Sequence, residues 1–320
     1  VNPVSTFVRE PVPPVIPLED AVPTVPETAH LSLASDLSEL TKTRLTMMVL
    51  LTTLAGYALA SRGEFDWARL LHTLVGTTLA AICSSILNQA LERDTDALMR
   101  RTEMRPLVTK RLPLVETVAT GLVLGALGLA ELAWFVGPTT AMVAAATLVV
   151  YVLAYTPLKR RTELNTLIGT IPGALPPLLG ATAARGHLNS EGWCLFALLA
   201  LWQLPHFYAI AWLYRDDYRA AGLRMVSVND PTGRSTGRHA VVSALILFPV
   251  SLLPLWMAGA GVFYGVAAAL LSATFFAAAV RFALQPCRAR ARALFLTSIV
   301  YLPLVLIALG LDLGVRAYFR

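Results

Sequence analysis

NQALERDTDALMRRTEMRPLVTKR, residues 88–111, continues without a break from an apolar run that begins near residue 68. Asn88, Glu92 and Asp96 are spaced i, i+4, i+8, so on a continuous helix they fall within about 80° of one another. Asp94 falls on another side, and Arg100, Arg101, Arg105, Lys110 and Arg111 follow at once. Carboxylates on one stripe, with a carboxamide oxygen and basic residues close behind, suit Mg²⁺ bridging to a polyphosphate. That ion prefers oxygen ligands and binds through one or two carboxylates plus substrate phosphates. The plainer reading is a helix end solvated at a membrane surface, its basic residues answering only to the positive-inside rule. The stretch alone does not choose between them.

Composition settles the class. The chain is 56% hydrophobic and only 14% charged, with a mean hydropathy of +0.63, which is the signature of an integral membrane protein. The net charge of +6 does not point to nucleic acid, because the basic residues sit in short loops between apolar runs and form no aromatic-basic module. Anionic lipid, anionic substrate and topology explain its sign better. Cys83, Cys194 and Cys287 are scattered, with no CxxC, so a disulfide framework, an iron–sulfur site and covalent haem attachment are all unsupported. Cys83 and Cys194 read as small buried hydrophobes.

Residues 1–30 are a different material. Seven prolines and no amphipathic period predict a disordered tail. There is no basic region leading into an apolar core, as a secretory signal requires. Residues 31–41 predict a short interfacial helix, and residues 31–320 form a single membrane domain.

Nine segments then come close to the ~20 residues that cross ~30 Å of hydrocarbon: about 43–60, 68–90, 113–132, 138–156, 164–183, 192–213, 240–259, 261–281 and 293–313. Of the 26 Lys and Arg residues, all but Arg62, Arg69, Arg185, Arg316 and Arg320 fall on one alternating set of connections. That bias places the N-terminus on the cytoplasmic side of the cell (inner) membrane and the C-terminus outside. Both large polar loops, 91–112 and 214–239, are then cytoplasmic. They follow segments two and six, as a parallel internal repeat of four helices requires, and their length is that of functional caps.

The second loop opens from WQLPHFYAIAWLYRDDYRAAG, residues 202–222. If the helix is continuous, Asp217 lies about 20° from His206 on the wheel and about 16 Å along the axis. Gln203 and Tyr214 share that side. One face would then carry Gln203 and His206 inside the membrane and Tyr214 and Asp217 at its edge. Polar groups at that depth face a cavity or a partner. The simpler account pairs Asp217 with Arg215 or Arg219 and sets His206 against a carbonyl left free by Pro205. Segment five carries Gly169, Gly173, Gly180, Pro172, Pro176 and Pro177; prolines kink a helix and small residues admit another backbone or a flat ligand. Tyr155 and Lys159–Arg161 stand just before it, either as part of a phosphate site or as a boundary anchor.

These stretches, NQALERDTDALMRRTEMRPL, YTPLKRRTELNTLIGTIPGALPPLLG and WQLPHFYAIAWLYRDDYRAAG, make the chain resemble the UbiA superfamily of membrane prenyltransferases, over about residues 40–315. The last two resemble its haem O synthase branch. The resemblance implies an all-α bundle of nine transmembrane helices with a central cavity capped by the two cytoplasmic loops. It implies transfer of a farnesyl group from farnesyl diphosphate to a vinyl group of haem B, with Mg²⁺ as cofactor. Hand-over to a haem A synthase or to terminal oxidase assembly is a further implication. By position, Asn88, Glu92 and Asp96 match the first Mg²⁺–diphosphate motif and Asp217 the acid of the second, with Asp216 beside it as an alternative. Arg101, Arg105 and Lys159 match the diphosphate-binding stretches. His206, Gln203 and Tyr214 are expected at the haem acceptor, and the rings of Tyr155, Phe207 and Tyr214 beside the prenyl cation.

Glu92 stands where the superfamily usually has aspartate, and Glu103 puts an acid beside the phosphate-binding arginines. Two rivals are a same-fold enzyme using a quinone-precursor or other aromatic acceptor, and a transporter with a midplane site. The transporter lacks a charge at mid-bilayer.

Overall fold

The computed structural model describes residues 32–318; the proline-rich tail expected at 1–30 lies outside them. Among the described residues nine helices are long and apolar enough to cross a membrane. A short helix, α1 (Leu33–Leu40), precedes them at the position expected for an interfacial helix. The spans are α2 (Thr43–Ser61), α3 (Trp67–Asp96), α4 (Leu114–Val136), α5 (Pro138–Leu158), α6 (Asn165–Arg185) and α7 (Ser190–Leu213). After a six-residue helix, α8 (Arg215–Ala220), come α9 (Arg234–Met257), α10 (Val262–Leu284) and α11 (Arg288–Tyr318). α3 carries on as helix past its expected end, through Asp96. The expected stripe of Asn88, Glu92 and Asp96 therefore stands on one unbroken element.

The bundle is held by small residues where helices touch. A Cβ on Gly180 would fall 1.9 Å from the Thr53 carbonyl oxygen, and one on Gly56 would fall 1.9 Å from that of Pro177. Backbone thus meets backbone between α2 and α6. Between α3 and α4, Gly76 and Gly128 face each other's carbonyls and Gly125 faces Cys83 Sγ. In lipid, where tails are as apolar as Leu, this close van der Waals fit is what associates helices. Pro172, Pro176 and Pro177 all lie inside α6, which remains one helix from Asn165 to Arg185. Neighbouring helices let such prolines stand in a membrane span.

Two apolar cores result. One is centred on Tyr57, Leu132, Val136, Leu175 and Leu178, the other on Leu198, Leu247, Tyr264, Phe275, Phe282 and Tyr301. A third, smaller cluster joins the two polar loops, with Met99 of the first packed among Tyr218, Leu223 and Met225 of the second. Burying an apolar side chain of this size is worth roughly 1.5–3 kcal/mol, enough to keep the caps together. α1 is seated on the end of α3: Arg111 grips the Asp36 carboxylate through Nε and Nη2 at 2.8–3.1 Å, and Ser85 Oγ and Gln89 Nε2 donate to Leu40 O. At the opposite end of the bundle Trp67, Trp134, Trp193 and Trp256 are exposed, where an aromatic belt marks a membrane interface.

Candidate active site

A cavity of about 450 Å³ opens beneath the caps, and α3 supplies its acids. Asn88, Glu92 and Asp96 all line it, together with Arg101, Arg105 and Lys159. The helical spacing alone brings the first three together. Arg101 and Arg105 arrive because the chain turns back after Asp96, a turn fixed by Thr102 Oγ1 donating to Asp96 O at 2.9 Å. Lys159 comes from the end of α5, where residues 150–155 widen into a π-helix, a local form often found at functional sites. That widening carries Tyr151 and Tyr155 into the cavity wall. Gly169 makes room for the Tyr155 ring, which a Cβ there would meet at 2.5 Å. The Lys159 ammonium lies 4.6 Å from the centroid of that ring.

Each polar group of the α3 stripe has its own cation. Lys42 Nζ donates to Asn88 Oδ1 at 2.6 Å, Lys159 Nζ is 2.6 Å from Glu92 Oε1, and Arg105 Nη1 is 2.5 Å from Asp96 Oδ2. Asn88 Nδ2 in turn donates to Thr156 Oγ1 at 3.1 Å. Burial works against the Lys159 ammonium, but Tyr155, Glu92 and Tyr151 outweigh it and hold its pKa well above the ordinary lysine range. Lys42 goes the other way: burial, then the charges of Arg105 and Lys159, pull it down to about 7.

The stripe fits a divalent cation. Asp96 is 1% exposed, and its Oδ1 is buried with no hydrogen-bond partner among the described residues, an orphaned acceptor that costs free energy unless something positive meets it. With Asn88 and Glu92 on the same wall, two carboxylates and a carboxamide are available. Such a set would supply the protein's share of a Mg²⁺ shell, an ion that commonly takes its other ligands from water and phosphate.

The second motif is placed differently. The continuous helix expected through residue 217 ends at Leu213; Tyr214 caps it outside the helical region (φ −113°, ψ 22°), and α8 starts afresh. The break re-aims everything beyond it. Gln203 lines the cavity, as does Phe207, but Tyr214 and Asp217 do not, and Tyr218 takes their place. Among the described residues no three His, Cys, Asp or Glu side chains converge on a metal position, so Asp217 does not join Glu92 and Asp96 in this structure. Asp216 is exposed and paired with Arg219 at 2.9 Å.

His206 is also turned out of the cavity. Its Nδ1 is 2.7 Å from Ser298 Oγ on α11, and its ring stacks between Trp202 and Phe295 at centroid distances of 5.2 and 5.1 Å. The one-turn offset from Gln203 was legible; which neighbour each face would meet was not. Sequence reasoning counted Lys42 only as a topological charge and passed over Tyr151 and Tyr218. Glu103, the acid expected to disturb the phosphate-binding arginines, is exposed and does not line the cavity.

Residues 49–302 match the UbiA prenyltransferase family. The chain belongs to that family. Among curated relatives of this UbiA-family chain is the protoheme IX farnesyltransferase of Solibacter usitatus, 44% identical over 84% of this chain and 96% of its own length. The protoheme IX farnesyltransferase of Koribacter versatilis is 42% identical over 90% and 96%. Among solved structures, a digeranylgeranylglyceryl phosphate synthase superposes with a TM-score of 0.75 at 17% identity, covering 88% of this chain and 98% of its own. A UbiA homologue from Archaeoglobus fulgidus bound to GPP and Mg²⁺ gives 0.60 at 15% identity over 86% and 100%. The likeness to the last two is one of fold, and it bears out the nine-helix UbiA architecture.

Proposed function

We propose that this prenyltransferase moves a farnesyl group from farnesyl diphosphate to a vinyl group of haem B, forming haem O. The observation that carries this is the cavity itself: two carboxylates, a carboxamide and four cations at the capped end, above walls that are mainly apolar. The acceptor is taken from the curated relatives, which are protoheme IX farnesyltransferases at about the same length.

The chemistry follows from where the charges sit. Breaking the allylic C–O bond leaves negative charge on the diphosphate and positive charge on the farnesyl carbon. Lys159, Arg105, Arg101 and Lys42 stand where the first develops, in surroundings where such donors are worth far more than in water. Asn88, Glu92 and Asp96 would hold Mg²⁺, which supplies further positive charge against the leaving group. The rings of Tyr155 and Phe207, both in the wall, would offer their π-systems to the cation. The terminal vinyl carbon bonds to the farnesyl carbon, water adds to the inner vinyl carbon and loses a proton, and diphosphate leaves. The apolar walls keep other water from the cation until then.

In this reading Gln203, at the far wall beside Gly173, meets the acceptor. Asp217 reaches the diphosphate only if α8 moves toward the cavity, and Tyr214 moves with it. His206 meets a porphyrin only from the α7–α11 side. In this reading the caps and N-terminus face the cytoplasm and the C-terminus lies outside, which the charge bias of the loops supports. Purified protein incubated with farnesyl diphosphate, Mg²⁺ and either haem B or 4-hydroxybenzoate should yield a hydroxyethylfarnesyl haem by mass spectrometry and no prenylated benzoate. Prenylation of the benzoate alone would refute the acceptor, and no prenyl transfer to either would refute the reaction.

A further inference from the structure

A second cleft, about 760 Å³, opens on the capped end of the bundle, lined by Arg161, Arg219, Arg224 and Asn229 among others. Residues 223–225 stand between it and the reaction cavity, tightened by Met225 N–H donating to Leu223 O at 3.2 Å. Leu223 borders both spaces, Met225 faces the reaction cavity, and Arg224 between them faces the cleft. The stretch before α6 is arranged in the same way, with Lys159 inward and Arg161 outward.

The partition is fixed at both backbone groups. Arg224 N–H donates to Lys159 O at 2.8 Å, and Asn165 Nδ2 donates to Arg224 O at 2.7 Å and to Thr162 O at 2.6 Å. Asn165 is 1% exposed, so this clamp is shielded from water. Glu163 is engaged by Asn229 Nδ2 at 2.7 Å and Arg219 by Asp216. The side chains of Arg161 and Arg224 make no hydrogen bond or ion pair among the described residues. Two guanidinium groups are thus held on a braced wall with their donors free, and planar forks of this kind match carboxylates two bonds at a time.

We propose that this cleft is a carboxylate-anchoring site for the acceptor. Resting on the haem assignment above, it holds the two propionates at the porphyrin's polar edge, and the ring passes the Leu223 edge that both spaces share, so that the vinyl carbon enters the reaction cavity on the side of Gln203. The porphyrin is amphipathic in the required sense: its carboxylates stay at the aqueous rim and its apolar edge faces the bundle. The cleft thereby selects an acceptor with two acid groups on one edge, and it takes no part in binding the prenyl diphosphate.

The test compares haem B with its propionate dimethyl ester as acceptors, using protein in phosphatidylcholine nanodiscs. For the unaltered protein the KM for haem B should be at least about tenfold below that for the diester, the scale of one or two charge-assisted pairs. In Arg161→Gln/Arg224→Gln that preference should vanish, with the KM for haem B rising to the diester's and the KM for farnesyl diphosphate within about twofold. Arg160→Gln, whose side chain lines neither space, should keep the preference. Circular dichroism and melting temperature check that the double variant is folded; if it is not, Arg224→Lys alone should show an intermediate preference. A retained preference in either folded variant overturns the proposal, as does equal use of haem B and the diester by the unaltered protein. So does a defect that appears only in phosphatidylglycerol discs, which would give the arginines to lipid. Turnover of neither porphyrin by the unaltered protein would instead strike at the haem assignment.

Discussion

The two caps are built on opposite plans. The first carries its charge inward: Asp96 and Arg105 meet at the cavity wall, with Asp96 1% exposed. The second carries its charge outward. Tyr218, Leu223 and Met225 face the cavity while Asp216, Arg219 and Arg224 face away. The difference lies in the helices beneath. α3 runs unbroken into its motif, so i, i+4 spacing stacks the acids on one face. α7 stops at Leu213, and the residues after the break are placed by apolar packing against Met99. A motif on a continuous helix is positioned by geometry, and a motif beyond a break is positioned by whatever buries best.

The strongest way to break this contrast is to treat the two acids alike. Asp96→Asn should lower kcat by about 10²–10³-fold or more, the cost of losing a group that answers charge in the transition state. Asp217→Asn should cost far less. Equal losses would show that α8 swings Asp217 onto the diphosphate during turnover. Chelation with EDTA should likewise stop the reaction reversibly, with activity returning on added Mg²⁺; unchanged turnover would remove the ion from the first cap altogether.

A smaller effect is expected from the cations. Lys159→Met should raise the KM for farnesyl diphosphate about tenfold, since a charge-assisted contact to a buried anion is worth about 1.5–3 kcal/mol. Arg215→Met should leave it within about twofold, because Arg215 lies over the Trp212 ring at 4.4 Å and does not line the cavity. Steady-state kinetics on both variants would sharpen the contrast, and similar shifts would blur it. The mildest change should be Glu92→Asp. It shortens the reach to Lys159 Nζ but keeps the carboxylate, so activity should stay within about tenfold of the unaltered protein, and a larger fall would mean the 2.6 Å pair needs the longer arm.

Much of this was legible in the chain. Hydropathy located the nine spans, spacing placed Asn88, Glu92 and Asp96 on one wall, and the family resemblance brought Arg101, Arg105 and Lys159 to them. Three things were not legible. Lys42 precedes the first span like any topological lysine; nothing local shows that its left-handed backbone (φ 47°) starts α2 with the side chain turned to Asn88. Tyr218 replaced Tyr214 because a wheel cannot register where a helix ends. His206 went to Ser298 because helical phase gives a direction but not the neighbour lying that way, and Ser298 is 92 residues distant along the chain.

The glycine contacts of α6 have a mechanical consequence. On one side Gly180 and the Pro177 carbonyl are locked backbone to backbone against α2, and on another Gly169, Gly173, Pro172 and Pro176 form cavity wall. A helix pinned this way can neither roll nor slide without collision, so α6 serves as the stator of the bundle. Any yielding needed to let a fifteen-carbon chain in and a bulkier product out is then left to the elements around it, among them the π-helical turn of α5 and the helix break at Tyr214.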